Sequence, residues 1–162
     1  MRCNLINKGL FTSNDQTWET PDYLFNKLNN VFNFEIDVCA LKETARCENY
    51  FTPEIDGLKQ EWDKTCWMNP PYGREQVKWV CKAFEETNKY SNQIVCLIPA
   101  RPDTKVWHEV IFPNAKAVCF IKGRIKFGDS NASAPFPSAI VVFGNINKEQ
   151  VECLETLGRV YL

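Results

Sequence analysis

The 162-residue sequence has little of what several common functional classes need. Its one histidine, His108, gives poor support to Ser-His-Asp or Cys-His catalysis. No apolar run approaches the roughly 20 residues of a membrane-spanning helix, and the N-terminus lacks the apolar core of a signal peptide. The net charge of −1 argues mildly against a generic nucleic-acid binder. These absences predict a soluble, intracellular protein that makes no membrane contact.

Eight cysteines are present, but no two stand in Cys-x-x-Cys spacing. Several lie inside apolar runs such as IVCLI and AVCFI, where a reduced cysteine packs as a small apolar side chain. The spacing therefore favours neither a zinc site nor a disulfide framework, and we expect no bound metal.

Apolar runs alternate with amphipathic segments along most of the chain. Buried strands are predicted at 34–40, 65–68, 94–99, 117–121 and 138–144, with a further short strand at the C-terminus. Strands that are apolar throughout, alternating with amphipathic helices, indicate an α/β sheet covered on both faces. Ligands of such sheets bind at the carboxyl ends of the strands. We expect one domain over 1–162, with a flexible arm at 1–16 and a C-terminal extension at 145–162.

Helices are predicted from 20 to 32, at 74–90, around 103–111 and at 147–157. Thr20 is suited to the N-cap of the first helix and Pro21 to its first position. The predicted buried face of the helix at 74–90 consists of Val77, Val80, Cys81 and Phe84.

The most specific local feature is Asn69-Pro70-Pro71-Tyr72, directly after the predicted strand at 65–68. A turn explains the prolines but not the combination of a carboxamide, two stiff residues and an aromatic side chain. The exocyclic amino group of a base is a poor nucleophile, because its lone pair is delocalised into the ring. If the Asn69 side-chain oxygen and the Pro70 carbonyl each accept one N–H, the lone pair points at a methyl donor. Tyr72 offers a ring on which a flipped base can stack, so the motif predicts methyl transfer to a planar amine.

This motif matches the [Asn/Asp/Ser]-Pro-Pro-[Tyr/Phe/Trp] signature of amino methyltransferases that depend on S-adenosylmethionine. Over roughly residues 17–144 the chain resembles the phage-type DNA N-6-adenine methyltransferase (Dam-like) family, through WETPDYLFNKL, FEIDVCA, DGLKQEW, MNPPYG, LIPARPDT, KGRIKFG and APFPSAIVVFG in that order. Asn at the first motif position favours adenine over cytosine as the target.

The resemblance implies an abbreviated Rossmann-like α/β fold, in which a mixed, mostly parallel sheet is covered by helices on both faces. It implies S-adenosyl-L-methionine as the cofactor and the N-6 amino group of adenine in double-stranded DNA as the methylated group. It also implies a bacteriophage or prophage origin, and hence the cytoplasm of a bacterial host. A homodimer is plausible for so small a DNA-binding enzyme.

Roles follow from the resemblance at matched positions. The catalytic residues it implies are Asn69, Pro70, Pro71 and Tyr72. The cofactor-binding residues it implies are Thr20, Pro21, Asp37, Ala40 and Asp56. The residues it implies at the target base or DNA are Arg101, Arg124, Phe127 and Ser138. Other interpretations stay open, with Asp37 as a helix-cap carboxylate, Asp56 as a turn residue and Phe127 as a core residue.

The sequence departs from the usual pattern in two ways. The seven glycines include no Gly-x-Gly, and no glycine lies near DVCA, so a glycine-rich cofactor turn is missing. Only 32 positions separate Asp37 from Asn69, too few for the strand–helix units of a full sheet. We therefore expect a sheet that lacks one or more strands, with the polar segment 41–64 looping over the cofactor.

The small net charge conceals an asymmetry. Residues 1–63 carry 6 basic and 11 acidic groups, whereas residues 64–162 carry 13 and 9. The run 116–128 has four basic residues and no acid, a pattern suited to phosphates, at Lys116, Lys122, Arg124 and Lys126. Two alternatives stay open: methylation of another planar amine (a protein glutamine, an RNA base or cytosine N-4), and a non-catalytic DNA-binding relative. The length leaves no separate target-recognition domain, so loops of the catalytic domain would contact the DNA bases.

Overall fold

The computed structural model describes residues 19–128 and 133–162, so the predicted arm at 1–16 lies outside the described residues. The strands of the described ranges are β1 (Ile36–Asp37), β2 (Asn49–Tyr50), β3 (Cys66–Met68), β4 (Ile94–Pro99), β5 (Ala117–Ile121), β6 (Ser138–Phe143) and β7 (Gly158–Tyr161). They form one sheet in the order β2-β1-β3-β4-β6-β5-β7. The predicted α/β fold is confirmed.

Three α-helices of eight or more residues occur in the described ranges, α1 (Asp22–Phe32), α2 (Gln76–Tyr90) and α3 (Lys148–Glu155). A 3-10 turn spans Gly57–Lys59, and a π-helical turn at Trp107–Ile111 continues into the short helix Phe112–Asn114. None of the described helices combines the length and the apolarity needed to cross a bilayer.

The strand directions bring the chemically interesting residues to one edge of the sheet. Strands β2, β1, β3 and β4 are parallel, β6 is antiparallel to β4, and β5 is antiparallel to β6. The carboxyl ends of β1, β3, β4 and β5 therefore lie at the same edge as the amino end of β6, where Ser138 pairs with Pro99. We call this side of the sheet the carboxyl edge.

The sheet separates two layers of core. Cys66 and Met68 of β3 pack with α2 and the π-helical turn, whereas Trp67 packs with α1. Asp37 is in register with Trp67, and Ser138 lies on the same face of β6 as Ile140 and Val142, which pack on the α1 side, so both project towards α1. The α1 side of the carboxyl edge is thus the place where the candidate residues meet.

The first helix begins later than predicted. Pro21, not Thr20, occupies the N-cap position of α1, and no side chain caps the helix. The prediction of Thr20 as N-cap was wrong: the first helical hydrogen bonds go to the Pro21 carbonyl oxygen, from the N–H groups of Leu24 and Phe25, and the Thr20 hydroxyl accepts the Asn69 amide instead.

The predicted buried face of α2 was also partly wrong. Val77 is 45% exposed and Cys81 is half-buried, while the buried residues are Gln76, Trp79, Val80, Ala83 and Glu86. Glu86 is buried because its carboxylate accepts the Trp62 backbone N–H at 2.7 Å and pairs with Lys82 at 3.1 Å. The periodic spacing of apolar residues does not predict that a charged residue is buried in an ion pair.

The segment between β1 and β3 is short, as the spacing predicts. Strand β1 covers two residues of the predicted run 34–40, and β2 was not predicted. In the described chain only β2 and the 3-10 turn lie between β1 and β3, where a parallel crossover usually contains a helix. At the other end of the sheet, residues 145–162 supply α3 and β7, and Leu154 enters the core.

Candidate active site

The Asn69 loop lies at the carboxyl edge, directly after β3, which pairs with β1 and β4 inside the sheet. The Asn69 amide nitrogen donates to Thr20 Oγ1 at 3.0 Å, and the Tyr72 hydroxyl donates to Asn69 Oδ1 at 2.9 Å. Pro70 is buried and Pro71 is exposed, and their fixed φ angles stiffen the loop. The carboxamide is therefore held from both ends, by a residue before α1 and by its own loop.

Tyr72 belongs to a buried aromatic cluster with Phe127 and Phe136. Its ring meets Phe136 edge-on at a centroid distance of 5.4 Å and Phe127 at 6.3 Å. Burial raises the pKa of the Tyr72 phenol well above its usual value, so the hydroxyl stays a hydrogen-bond donor. Phe127 is buried as well, so either ring can stack on a base only when this cluster opens. Phe136 was missed, although it lies in the APFPS block on which the family resemblance rests.

Asp37 is buried at the end of β1, where its carboxylate binds the backbone of the following loop. Its two oxygens accept the N–H of Cys39 at 3.3 Å and the N–H of Arg46 at 3.1 Å. Burial raises the pKa of Asp37 to about 7, against the opposing effects of these hydrogen bonds and of the Arg46 charge. Next to it, the Ala40 N–H donates to Phe51 O at 3.0 Å, which ties the loop to the end of β2.

Arg46 is a site residue that the sequence reasoning missed. Its guanidinium contacts the Thr20 carbonyl oxygen, the Asp22 carboxylate and, at 3.1 Å, Glu19 Oε1. The side chain is only 17% exposed. No pattern linked Arg46 to these partners, because they lie 24 to 27 positions earlier, at the start of α1, and Arg46 itself lies in an irregular segment.

Asp56 is placed as a turn residue. Its side chain accepts the Leu58 N–H at 3.2 Å, caps the 3-10 turn and pairs with Lys59 at 3.3 Å. It still borders the site, because a Cβ on the next residue, Gly57, would lie 2.2 Å from the carbonyl oxygen of Val38.

The candidate DNA-contacting residues are distributed along the same edge. Arg101 and Arg124 are exposed in the loops after β4 and β5. Ser138 is 1% exposed, and its hydroxyl has no hydrogen-bond partner among the described residues. A buried hydroxyl without a protein partner at a ligand edge favours a role in binding.

The predicted basic run splits into two parts. Lys122, Arg124 and Lys126 follow β5 and are exposed at the carboxyl edge. Lys116 precedes β5, so it lies at the opposite edge, about 17 Å away along the strand. The prediction of one patch was wrong because the five-residue strand separates its members.

Comparison with known proteins places most of the chain in one group. A family model described as DNA N-6-adenine-methyltransferase (Dam) matches residues 9–155. A DNA N-6-adenine-methyltransferase of Haemophilus phage HP1 (strain HP1c1) is 30% identical over 140 residues, covering 81% of this chain and 80% of the relative. One of Escherichia phage T1 is 32% identical over 111 residues, covering 67% of this chain and 45% of the relative.

A shorter match involves the putative methyltransferase YfdM of Escherichia coli (strain K12), which is 32% identical over 63 residues. It covers 34% of this chain and 69% of that protein. The matched family region, residues 9–155, contains every candidate site residue from Thr20 to Ser138.

Proposed function

The chain belongs to the DNA N-6-adenine-methyltransferase (Dam) family and acts on the N-6 amino group of adenine in DNA, and we propose that S-adenosyl-L-methionine is its methyl donor. We propose that Asn69, Pro70, Pro71 and Tyr72 bind and activate the amino group. The observation that supports this most is the Asn69 amide, which Thr20 and Tyr72 hold at the end of β3.

The two acceptors proposed for the adenine amino group are Asn69 Oδ1 and the Pro70 carbonyl oxygen. A carbonyl oxygen has two lone pairs. Asn69 Oδ1 can therefore accept a hydrogen bond from the Tyr72 hydroxyl and a second one from the N-6 amino group. With both N–H groups engaged by Asn69 Oδ1 and the Pro70 carbonyl, the N-6 lone pair would turn out of the ring and become available as a nucleophile. It would take the methyl group that the bound donor supplies, and the surplus N-6 proton would pass to water.

The residues at the end of β1 fit a positively charged methyl donor. When bound, S-adenosyl-L-methionine supplies an electrophilic methyl group on a cationic sulfur. A buried carboxylate, Asp37, lies at this point of the carboxyl edge and orders the loop after β1 through two backbone N–H groups. We propose that this loop takes the place of the missing glycine-rich turn. The full proposed cofactor set is Thr20, Pro21, Asp37, Ala40 and Asp56.

The DNA side of the proposed site comprises exposed cations and buried groups. We propose that Arg101 and Arg124 contact the phosphates or bases of the duplex. Phe127 and the hydroxyl of Ser138, which has no partner within 19–128 and 133–162, lie at the same edge and are proposed to contact the target base. We propose that these residues belong to a single catalytic domain over 1–162, which acts in the cytoplasm of a bacterial host.

We also propose that the protein forms a homodimer. Light scattering with and without DNA tests this.

The proposed activity is tested by incubating the purified protein with methyl-labelled S-adenosyl-L-methionine and unmethylated duplex DNA. Digestion and nucleoside mass spectrometry should find the label in N-6-methyladenine. Label found only in cytosine or in the protein would overturn the proposal, as would failure of the protein to bind the labelled donor.

The clamp is tested by Asn69→Ala, with Asn88→Ala on the exposed face of α2 as the matched control. Loss of one preorganised hydrogen-bonding group costs about 10²–10³-fold in kcat, and we expect at least this for Asn69→Ala. Binding of the cofactor should change less than threefold, since Asn69 acts on the target amine. Full activity of Asn69→Ala would refute the clamp.

A further inference from the structure

Arg46 joins two parts of the proposed site that are distant in sequence. Its backbone N–H donates to the Asp37 carboxylate at 3.1 Å, which fixes it to the end of β1. Its guanidinium contacts the carbonyl oxygen of Thr20, and Thr20 in turn accepts the Asn69 amide at 3.0 Å through its hydroxyl. One residue thus contacts both the cofactor side and the residue that holds the catalytic amide.

The guanidinium is bound in a way that restricts its position. Glu19 and Asp22 hold its terminal nitrogens from either side of Thr20, and a planar guanidinium can satisfy two carboxylates and a carbonyl together. Thr20 is 2% exposed, so its backbone oxygen has little access to water as a replacement partner. Removing the guanidinium would leave that oxygen unsatisfied and the Thr20 backbone free to shift.

We propose that Arg46 is a positioning residue for methyl transfer, which acts through Thr20 to hold the Asn69 amide in its reactive place. Arg46 touches no reacting atom. Displacing a reactive group by about 1 Å can cost on the order of 10²-fold in rate, so a small movement of Thr20 is enough for a large effect. This inference rests on the proposed role of Asn69.

The test is a double-mutant cycle on kcat with Arg46→Met and Thr20→Val, both measured on the full chain with duplex DNA. Each single variant should lower kcat by about 10- to 100-fold, with smaller changes in the KM for duplex DNA. Because both substitutions break the same connection, the double variant should be no more than about twofold below the worse single variant. Thr20→Ser keeps the hydroxyl and should recover most of the loss, and Arg46→Lys should be intermediate.

Thermal unfolding separates this role from a general loss of stability. Lys89→Met is the matched control, because it breaks the Lys89–Glu61 pair of 2.9 Å at the end of α2, shortly before β4 begins, without touching Thr20. If Arg46→Met does not fold, Glu19→Gln combined with Asp22→Asn weakens the same contacts and replaces it in the cycle.

Multiplicative effects on kcat in the double variant would overturn the inference, as would an Arg46→Met protein that keeps wild-type kcat. Asn69→Ala distinguishes the failures. If Asn69→Ala is inactive while Arg46→Met is fully active, only the role of Arg46 is refuted. If Asn69→Ala is itself active, the proposed clamp fails.

Discussion

The two halves of the sheet are stabilised in different ways. In β4 and β6, six consecutive residue pairs form a continuous antiparallel ladder. In β1 and β3 only two pairs are in register, and β2 adds two more. The half that contains Asp37 and the Asn69 loop therefore relies on contacts other than the backbone ladder.

Those other contacts run from side chains to the backbone. Asp37 binds two backbone N–H groups, and Trp62 donates its indole N–H to Gly57 O at 2.8 Å. Asn92 donates to Trp62 O at 2.7 Å, which fixes the entry to β3. Because each such contact depends on one side chain, single substitutions should destabilise this half more than the other.

The largest effect is expected for Gly57→Ala. A Cβ at this position would lie 2.2 Å from Val38 O and 3.1 Å from the Trp79 ring, so the backbone must move. We expect unfolding to become easier by about 3 kcal/mol, measured by urea denaturation, together with weaker cofactor binding. Gly158→Ala meets Phe120 O at 1.9 Å in the other half and should destabilise without changing cofactor affinity. Equal loss of cofactor affinity in both variants would remove the distinction between the halves.

A smaller, pH-dependent effect is expected for Asp37→Asn. The folded pKa of about 7 lies above the ordinary 3.8, so between these values the folded protein holds a proton that the unfolded chain has released. The contribution of Asp37 to stability therefore falls as the pH rises from 4 to 7, by at most about 1.4 kcal/mol per pH unit, and is level above 7. Asparagine does not titrate. Its NH₂ group would also point a hydrogen-bond donor at one of the two backbone N–H groups that the carboxylate accepts.

Urea denaturation across this pH range should therefore find Asp37→Asn less stable than the wild type at pH 5, with the gap narrowing towards pH 7. Glu152→Gln on α3, an exposed position, is the matched control. A gap for Asp37→Asn that widens with rising pH would mean that burial does not hold the proton on this carboxyl.

The smallest effect on folding is expected for the basic residues after β5. Alanine at Lys122, Arg124 or Lys126 should leave stability within about 0.5 kcal/mol, since all three are exposed. Each phosphate contact that is lost should reduce the slope of log affinity against log salt by about 0.9 in duplex-DNA binding. Lys116→Ala, at the opposite edge, is the matched control and should bind as the wild type does. An equal loss of DNA affinity in Lys116→Ala would mean that the DNA does not bind specifically at the carboxyl edge.

The sequence predicted the two halves with different success, for a physical reason. The runs IVCLIP, AVCFI and SAIVVF are buried on both faces, and the strands found there match the predictions to within a residue. Strand β2 is the polar pair Asn49–Tyr50, which exists because it lies beside β1 and the Phe51 N–H donates to Asp37 O. No local pattern encodes such a partner.

The candidate site shows the same division. The position of Asn69 at the end of a buried strand followed from local sequence, because an apolar run stops at two prolines. The contacts of Arg46 with Thr20, and of Tyr72 with Phe136, join segments that are 26 and 64 positions apart. Only the folded chain reveals these pairs. The predicted site residues therefore included Thr20 and Tyr72 but lacked their partners Arg46 and Phe136.

The closed cluster of Tyr72, Phe127 and Phe136 has a consequence for turnover. Ring pairs of this kind contribute about 0.5–1.5 kcal/mol each, comparable with the few kcal/mol needed to unstack a base. If the target base stacks in this cluster as proposed, a flipped adenine must displace the rings, and so must its methylated form. Closure of the rings would then lower the affinity for substrate and product alike and speed the departure of the product.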